Sequence, residues 1–303
     1  MTGNRAMRTP NAWKVPAALA AVVLISAGCT TQRSDAPTTT TSTSQAPIPF
    51  SGLTQDLRIR WTAEPGIDLL TGPPVIIRAY RESYILGGLM ASPDFYYPGF
   101  EHAVPPAVPA TLNYAVRPYL IGDPHLDDSG FQTTTPIVGT WRQHILSLTG
   151  DRASGYTALV CSWDYATAVQ QPDGDFTYAH RFQAPETTTP NTGTRVYRIT
   201  LTAPPASAPD PAATIQRGTA PKPSTDVFGG WKILTALKTY TSPIPALREP
   251  DLWPRDVYNR DYDTCVAKAP DSYERRSFFI NGEHPRSDYP TLPADPGWPA
   301  AGT

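Results

Sequence analysis

Apolar residues recur along this chain with two periods, one typical of helices and one typical of strands. After Thr71-Gly72-Pro73-Pro74, a sequence suited to the first turn of a helix, they recur every three or four positions as far as Gly87-Gly88. This spacing predicts an amphipathic helix over residues 73–87. The two glycines are expected to end it.

Four later segments alternate apolar and polar residues, as strands do. The clearest is Arg195–Thr202, in which Tyr197, Ile199 and Leu201 would share one face. The other three are Thr140–Thr149, Tyr156–Ala166 and Trp231–Tyr240. A helix followed by strands predicts an α+β domain over residues 51–240, with an antiparallel sheet packed on helices.

The last part of the chain, residues 241–303, shows little periodicity and is rich in proline, aspartate and aromatic residues. The whole chain has 35 prolines in 303 residues, about twice the average usage or more, which favours loops over long helices. We therefore expect an irregular, extended C-terminal tail packed on the domain.

The first 28 residues have the pattern of an export signal. Arg5, Arg8 and Lys14 form a basic start, and the apolar stretch Val15–Ile25 follows, interrupted only by Pro16. The stretch is too short to span a bilayer as a helix. The pattern matches a secretory signal peptide.

The segment Ser26-Ala27-Gly28-Cys29 resembles the bacterial lipobox, in which a diacylglyceryl group is attached to the cysteine and cleavage makes it the N-terminus. We predict residues 1–28 as a signal peptide and Cys29 as the lipidation site, which would anchor the protein to the outer face of the cell membrane. The alternative is an ordinary secretory cleavage. Residues 29–50, rich in Thr, Ser and Pro, are predicted to be a disordered tether.

The net charge and the absence of several sequence motifs argue against some classes of function. A net charge of −2 and a pI near 6.2 argue against a nucleic-acid partner, which usually meets a basic face. The chain has no Gly-x-Ser-x-Gly, no phosphate-binding glycine loop and no His-Glu-x-x-His. The sequence therefore predicts no cofactor and gives little support to an enzyme.

The predicted helix, the segments TWRQHILSLTGD and ALVCSWDYA, and DVFGGWKILTALKTY together resemble NTF2-like domains. In that family a curved antiparallel sheet wraps around helices to form a cone, and the resemblance implies this fold for about residues 70–240. Some members are isomerases, hydratases or hydrolases with an Asp/His pair in the cone, and many others only bind. Nearly the whole chain also resembles uncharacterised lipoproteins of mycobacteria and related actinobacteria.

His144 and Asp164 are the candidates for such a pair. Each lies inside a predicted strand, and His144 shares strand parity with Leu146 and Leu148. A His–carboxylate pair could act as an oriented general base. A polar residue within a strand more often has a structural role, however, so we predict that this pair is not catalytic.

Two groups of acidic residues have the side chains that metal ions bind. Asp123, His125, Asp127 and Asp128 form the denser group. Asp-Pro and Asp-Asp-Ser-Gly are also common turn sequences, so we predict no metal site there. The same holds for the second group, which consists of Asp256, Asp261 and Asp263.

Cys161 and Cys265 remain once Cys29 is lipidated. An even pair of cysteines in an exported chain usually forms a disulfide, which we predict here. The alternative is a buried thiol at Cys161 and an exposed one at Cys265. The favoured function is a non-catalytic envelope lipoprotein that binds a small molecule or a protein. The alternatives are an NTF2-like enzyme using His144 and Asp164, and a structural subunit that docks through its tail.

Overall fold

The structure is a computed structural model that describes residues 49–106, 116–118, 132–180, 191–239 and 253–302. All of them belong to one compact unit, Gln45–Thr303. The signal peptide, Cys29, nearly all of the tether and the Asp123–Asp128 group lie outside the described residues. The helices are α1 (Pro73–Met90), α2 (Phe100–Ala103), α3 (Arg255–Ala267) and α4 (Tyr273–Ile280). The strands are β1 (Asp56–Ala63), β2 (Ile137–Asp151), β3 (Gly155–Trp163), β4 (Thr167–Gln170), β5 (Phe176–Tyr178), β6 (Thr194–Thr202) and β7 (Lys232–Leu237).

The seven strands form one strongly curled sheet, a half-barrel that packs against helices. β2 is central, with β1 along one edge and β3 followed by β4 along the other. β6 pairs with β3, β7 with β6, and β5 with β4, all antiparallel. The predicted α+β class is confirmed. The expectation of a wholly antiparallel sheet is wrong at β1, which runs parallel to β2.

The curl arises where strands change partner. The register of β2 against β3 shifts between Ile145 and Ser147, and such a bulge bends a strand. β3 ends before Asp164, and the chain joins β2 again as β4. Gly139 of β2 lies at this junction with φ 103°, and a Cβ there would lie 2.2 Å from the carbonyl oxygen of Ala166. Only glycine permits this approach.

The predicted helix is confirmed, but Gly87-Gly88 does not end it. α1 continues to Met90 and closes at Ala91, which has φ 46°. A Cβ on Gly87 would lie 2.3 Å from the Tyr96 ring. Gly87 therefore makes room for an aromatic side chain rather than a turn.

Different helices cover the two faces of the sheet. On the α1 face, Ile145, Val160 and Ile199 pack with the apolar side of α1. Tyr197 and Leu201 lie on the same face, as the alternation predicted. On the opposite face, which we call the α3–α4 face, the core includes Val138, Cys161, Trp163, Val196, Cys265, Phe279 and Ile280.

The prediction of an irregular tail is wrong for residues 255–280, which form α3 and α4. α3 is largely polar and buries only Asp261 and Cys265, so its apolar period is weak. The chain after α4 has little regular structure but is docked: Tyr289 is fully buried and Trp298 is 1% exposed.

The disulfide prediction is confirmed. Cys161 of β3 and Cys265 of α3 are bonded, with their Cα atoms 5.3 Å apart, within the range that a disulfide requires. The bond ties α3 to the centre of the sheet.

Glu82 of α1 holds the end of the chain against the helix. Its carboxylate accepts hydrogen bonds from Nε1 of Trp61, the hydroxyl of Tyr97 and Nε1 of Trp298, each at 2.7 Å. Burial raises the pKa of Glu82, and these donors and the charge of Arg78 oppose that effect. Among the described residues, no helix has the length and apolar character needed to cross a bilayer.

Candidate functional site

His144 belongs to a cluster on the α3–α4 face, at the edge formed by β1. Its Nδ1 lies 2.8 Å from Oγ1 of Thr62, and its Nε2 lies 3.0 Å from Oε1 of Glu64. Nζ of Lys268, which follows α3, lies 2.5 Å from the same carboxylate oxygen. Hydrogen bonds from Lys268 and His144 lower the pKa of Glu64. This group links β1, β2 and α3, which is a structural role.

Asp164 belongs to a different cluster, at the bend between β3 and β4. The hydroxyl of Tyr178 donates to its Oδ1 at 2.6 Å. Nη1 of Arg195 donates to its Oδ2, and Nδ1 of His180 lies 3.2 Å from that same oxygen. Asp164 therefore does have a histidine beside it, but the histidine is His180 and not His144.

Three further side chains continue this cluster along the α1 face. Ser162 is directly opposite Gln143 on β2 and Arg195 on β6, and residues opposite each other in antiparallel strands share a face. Oγ of Ser162 accepts hydrogen bonds from Nε1 of Trp141 at 2.8 Å and from Nε2 of Gln143 at 2.6 Å. The ring of Trp141 also meets the ring of His180 edge-on, with centroids 5.4 Å apart.

The cluster holds one ion pair and a neutral histidine. Burial acts to raise the pKa of Asp164, but Arg195, His180 and the hydrogen bonds outweigh it and lower that pKa below its ordinary value. Burial lowers the pKa of His180 although Asp164 opposes this, so its ring is uncharged at neutral pH. Asp164 in turn raises the pKa of Arg195.

Hydrogen bonding within the cluster is incomplete. Within the described residues, the buried Oε1 of Gln143 and Nδ1 of His180 have no partner with acceptable hydrogen-bond geometry. Arg81 of α1, which faces Tyr197 two residues beyond Arg195, has none for any of its three guanidinium nitrogens. Buried polar groups are nearly always satisfied, so several unsatisfied groups on one face indicate a place for a ligand or ordered water.

No family model, curated protein or solved structure matches this chain. We use the name polar end for the group formed by Trp141, Gln143, Ser162, Asp164, Tyr178, His180, Arg195 and Tyr197. Tyr178 reaches Asp164 from the core of the α3–α4 face.

The predicted metal candidates do not form a site where the structure describes them. Asp261 accepts a hydrogen bond from Nε1 of Trp253 at 3.1 Å, which fixes the start of α3. Over the described ranges, no group of three or more His, Cys, Asp or Glu side chains is placed to hold a metal ion.

Side chains of the polar end can orient and hydrogen-bond a small polar ligand. Within the described residues, the polar contact of His180 is with the Asp164 carboxylate. It does not extend to Ser162, because the Ser162 hydroxyl accepts its hydrogen bonds from Trp141 and Gln143. Sequence analysis identified Asp164 but missed His180, Arg195 and Arg81. The only early signal for Arg195 was its alternation with Tyr197, which places both on one face.

Proposed function

We propose that this protein is a lipid-anchored protein of the cell envelope, exported by residues 1–28 and held through Cys29, whose NTF2-like domain binds a small ligand at the polar end without transforming it. The observation that carries the binding proposal is the set of buried, unsatisfied polar atoms on Gln143 and His180 of the polar end and on Arg81, which lies against Tyr197 beside it. A purely structural network is expected to complete its hydrogen bonds.

Three observations support the location and the fold. The basic start, short apolar stretch and lipobox-like ending are typical of a lipoprotein signal. The buried disulfide between Cys161 and Cys265 suits an oxidising compartment. A curled sheet packed around α1 is compatible with an NTF2-like domain.

One observation favours a catalytic alternative. His180 lies 3.2 Å from Asp164, an arrangement in which a carboxylate orients an imidazole as a general base. Such a base could act on a proton of the bound ligand itself. Against this alternative, the contacts that the described residues make with the His180 ring come from Asp164, Trp141 and Tyr178, and none of these is a serine, cysteine or lysine nucleophile.

Membrane attachment is tested by cell fractionation and by mass spectrometry of the mature N-terminus. The parent protein should lie in the membrane fraction with a diacylglyceryl group on Cys29, and Cys29→Ala should lose both. Membrane retention of the Cys29→Ala protein equal to that of the parent would contradict the anchor.

Ligand binding is tested on protein purified from the host membrane in mild detergent. Mass spectrometry should find a small molecule that copurifies with the parent and with His144→Gln, the matched histidine control on the α3–α4 face. His180→Gln should carry less of it. Equal amounts in all three proteins, or none in any, would contradict the proposal. Conversion of the extracted molecule by the parent and not by His180→Gln would instead establish the catalytic alternative.

A further inference from the structure

Arg81 is a buried cation whose nitrogens make no hydrogen bond of standard geometry in the described part of the chain. The residue is 1% exposed, yet within the described residues Nε, Nη1 and Nη2 all lack a partner. Its guanidinium carbon lies 3.5 Å from the centroid of the Tyr197 ring and 5.0 Å from that of Tyr84. The guanidinium therefore lies against aromatic rings, and among the described residues no carboxylate or carbonyl oxygen accepts from its five N–H donors.

Arg78, one turn earlier on the same helix, is a buried arginine with a structural role and serves as a comparison for Arg81. It is fully buried, but its Nη1 donates to the carbonyl oxygen of Leu69 at 3.0 Å and its Nη2 to that of Pro296 at 2.7 Å. Its guanidinium also stacks on Trp298 at 4.1 Å. Its Nε lacks a partner among the described residues, but both terminal nitrogens are hydrogen-bonded, so burial alone does not prevent an arginine of α1 from finding acceptors.

Nearby acids do not supply the missing counter-charge. Glu82, the neighbour of Arg81 in sequence, accepts its hydrogen bonds from Trp61, Tyr97 and Trp298. Asp164 pairs with Arg195. Among the described residues neither acid forms an ion pair with Arg81, so its positive charge lies unpaired by them beside the polar end.

The pKa of the Tyr197 hydroxyl is also affected by this positive charge. Burial acts to raise the pKa of this hydroxyl, but the charges of Arg81, Arg195 and Lys238, and to a smaller extent a hydrogen-bonding interaction with Arg81, outweigh burial and lower that pKa below its ordinary value. A positive potential inside a protein favours an anion, and the planar fork of a guanidinium fits carboxylate and phosphate oxygens.

We infer that Arg81 binds the oxyanion group, a carboxylate or a phosphate, of an organic anion whose apolar part packs on the tyrosine rings and aliphatic side chains of the α1 face. This inference rests on the proposed function, because it assigns the chemistry of the ligand bound there. The ligand reaches Arg81 beside Tyr84, whose ring lies against the guanidinium and is only partly buried.

The test is calorimetric titration of the full-length protein, freed of copurified ligand, with three probes of equal chain length: octanoate, octyl phosphate and neutral octanamide. At least one anion should bind about tenfold or more tightly than octanamide, since a charge-assisted bidentate contact exceeds a neutral one. Whichever anion binds more tightly identifies the head group. Arg81→Met should remove that preference.

Arg198→Met is the charge-matched control, because Arg198 follows Tyr197 on β6 and points to the other face of the sheet. It should bind all three probes as the parent does. Thermal unfolding of the ligand-free proteins separates a site from a structural residue. Arg81→Met should unfold no earlier than the parent, whereas Arg78→Met should unfold earlier because carbonyl acceptors lose their donor.

Four results would overturn the inference. They are equal binding of octanamide and both anions, unchanged anion binding by Arg81→Met, a loss of thermal stability in Arg81→Met equal to that in Arg78→Met, and binding of none of the probes. The first leaves the proposed ligand-binding function standing, so the two failures are distinguishable. If Arg81→Met does not fold, Arg81→Lys keeps the charge without the fork and should bind the anions more weakly than the parent.

Discussion

Loss of the Cys161–Cys265 disulfide should lower the free energy of unfolding by about 4–5 kcal/mol. The bond closes a loop with a sequence separation of 104 residues, for which chain entropy gives about 4.7 kcal/mol at 25 °C. Both cysteines are fully buried, so Cys→Ala substitutions also remove core contacts. That additional loss is about 1 kcal/mol at each position.

Urea unfolding followed by circular dichroism measures the effect. Three samples separate its parts: the oxidised parent, the parent held reduced, and the Cys161→Ala/Cys265→Ala protein. The reduced parent keeps both sulfur atoms, so its deficit measures the cross-link alone. The difference between the reduced parent and the double variant measures the lost packing.

Hydrogen exchange adds a local test of the same reasoning. α3 contacts β3 and β6 and buries few of its own residues, so its amides should lose protection before those of the sheet when the bond is absent. A deficit below about 1 kcal/mol in the reduced parent would refute the entropy argument. Equal loss of protection in α3 and the sheet would refute the local one.

Three other changes test separate parts of the structure. The pKa of His180 is lowered below its ordinary 6.5, so only the unfolded chain gains a proton there as the pH falls below about 6.5. Unfolding free energies measured in urea should therefore decrease as the pH is lowered through this range, and His180→Asn should remove that decrease. Trp298→Phe deletes a donor to the buried carboxylate of Glu82 and should cost about 2 kcal/mol or more in urea unfolding; no cost would contradict the role of that contact. Gly87→Ala places a Cβ 2.3 Å from the Tyr96 ring and should lower the melting temperature through a cost of about 1–3 kcal/mol, although alanine favours helices.

Local alternation made part of the fold predictable. In β6, Tyr197, Ile199 and Leu201 face α1 because every second residue of a strand shares a face. β4 and β5, with four and three residues, are too short to show any period. The parallel pairing of β1 with β2 depends on contacts between segments far apart in sequence, which no local pattern encodes.

The candidate site shows the same limit in its side chains. Asp164 was identified from its type and its place in a strand, but the partner suggested for it, His144, lies on the other face. The strand breaks at Asp164, and the chain returns through β5, which brings His180 to the carboxylate. Strand parity cannot be extended across such a bend, so the sequence pattern did not identify His180, which lies outside the predicted strands.

Alternate residues at the end of β3 and just beyond it support and form the polar end. Cys161 is bonded to α3, Trp163 donates from Nε1 to the carbonyl oxygen of Cys265 at 3.0 Å, and Tyr165 donates to the Asp271 carboxylate at 2.9 Å. The residues between them, at 162 and 164, carry the hydroxyl and carboxylate of the polar end. Because a site is held in place by the elements behind it, the disulfide and α3 do more than attach the end of the chain. They fix the strand segment from which the polar groups project, and this explains why a polar helix with little apolar surface is covalently joined to the sheet at this strand.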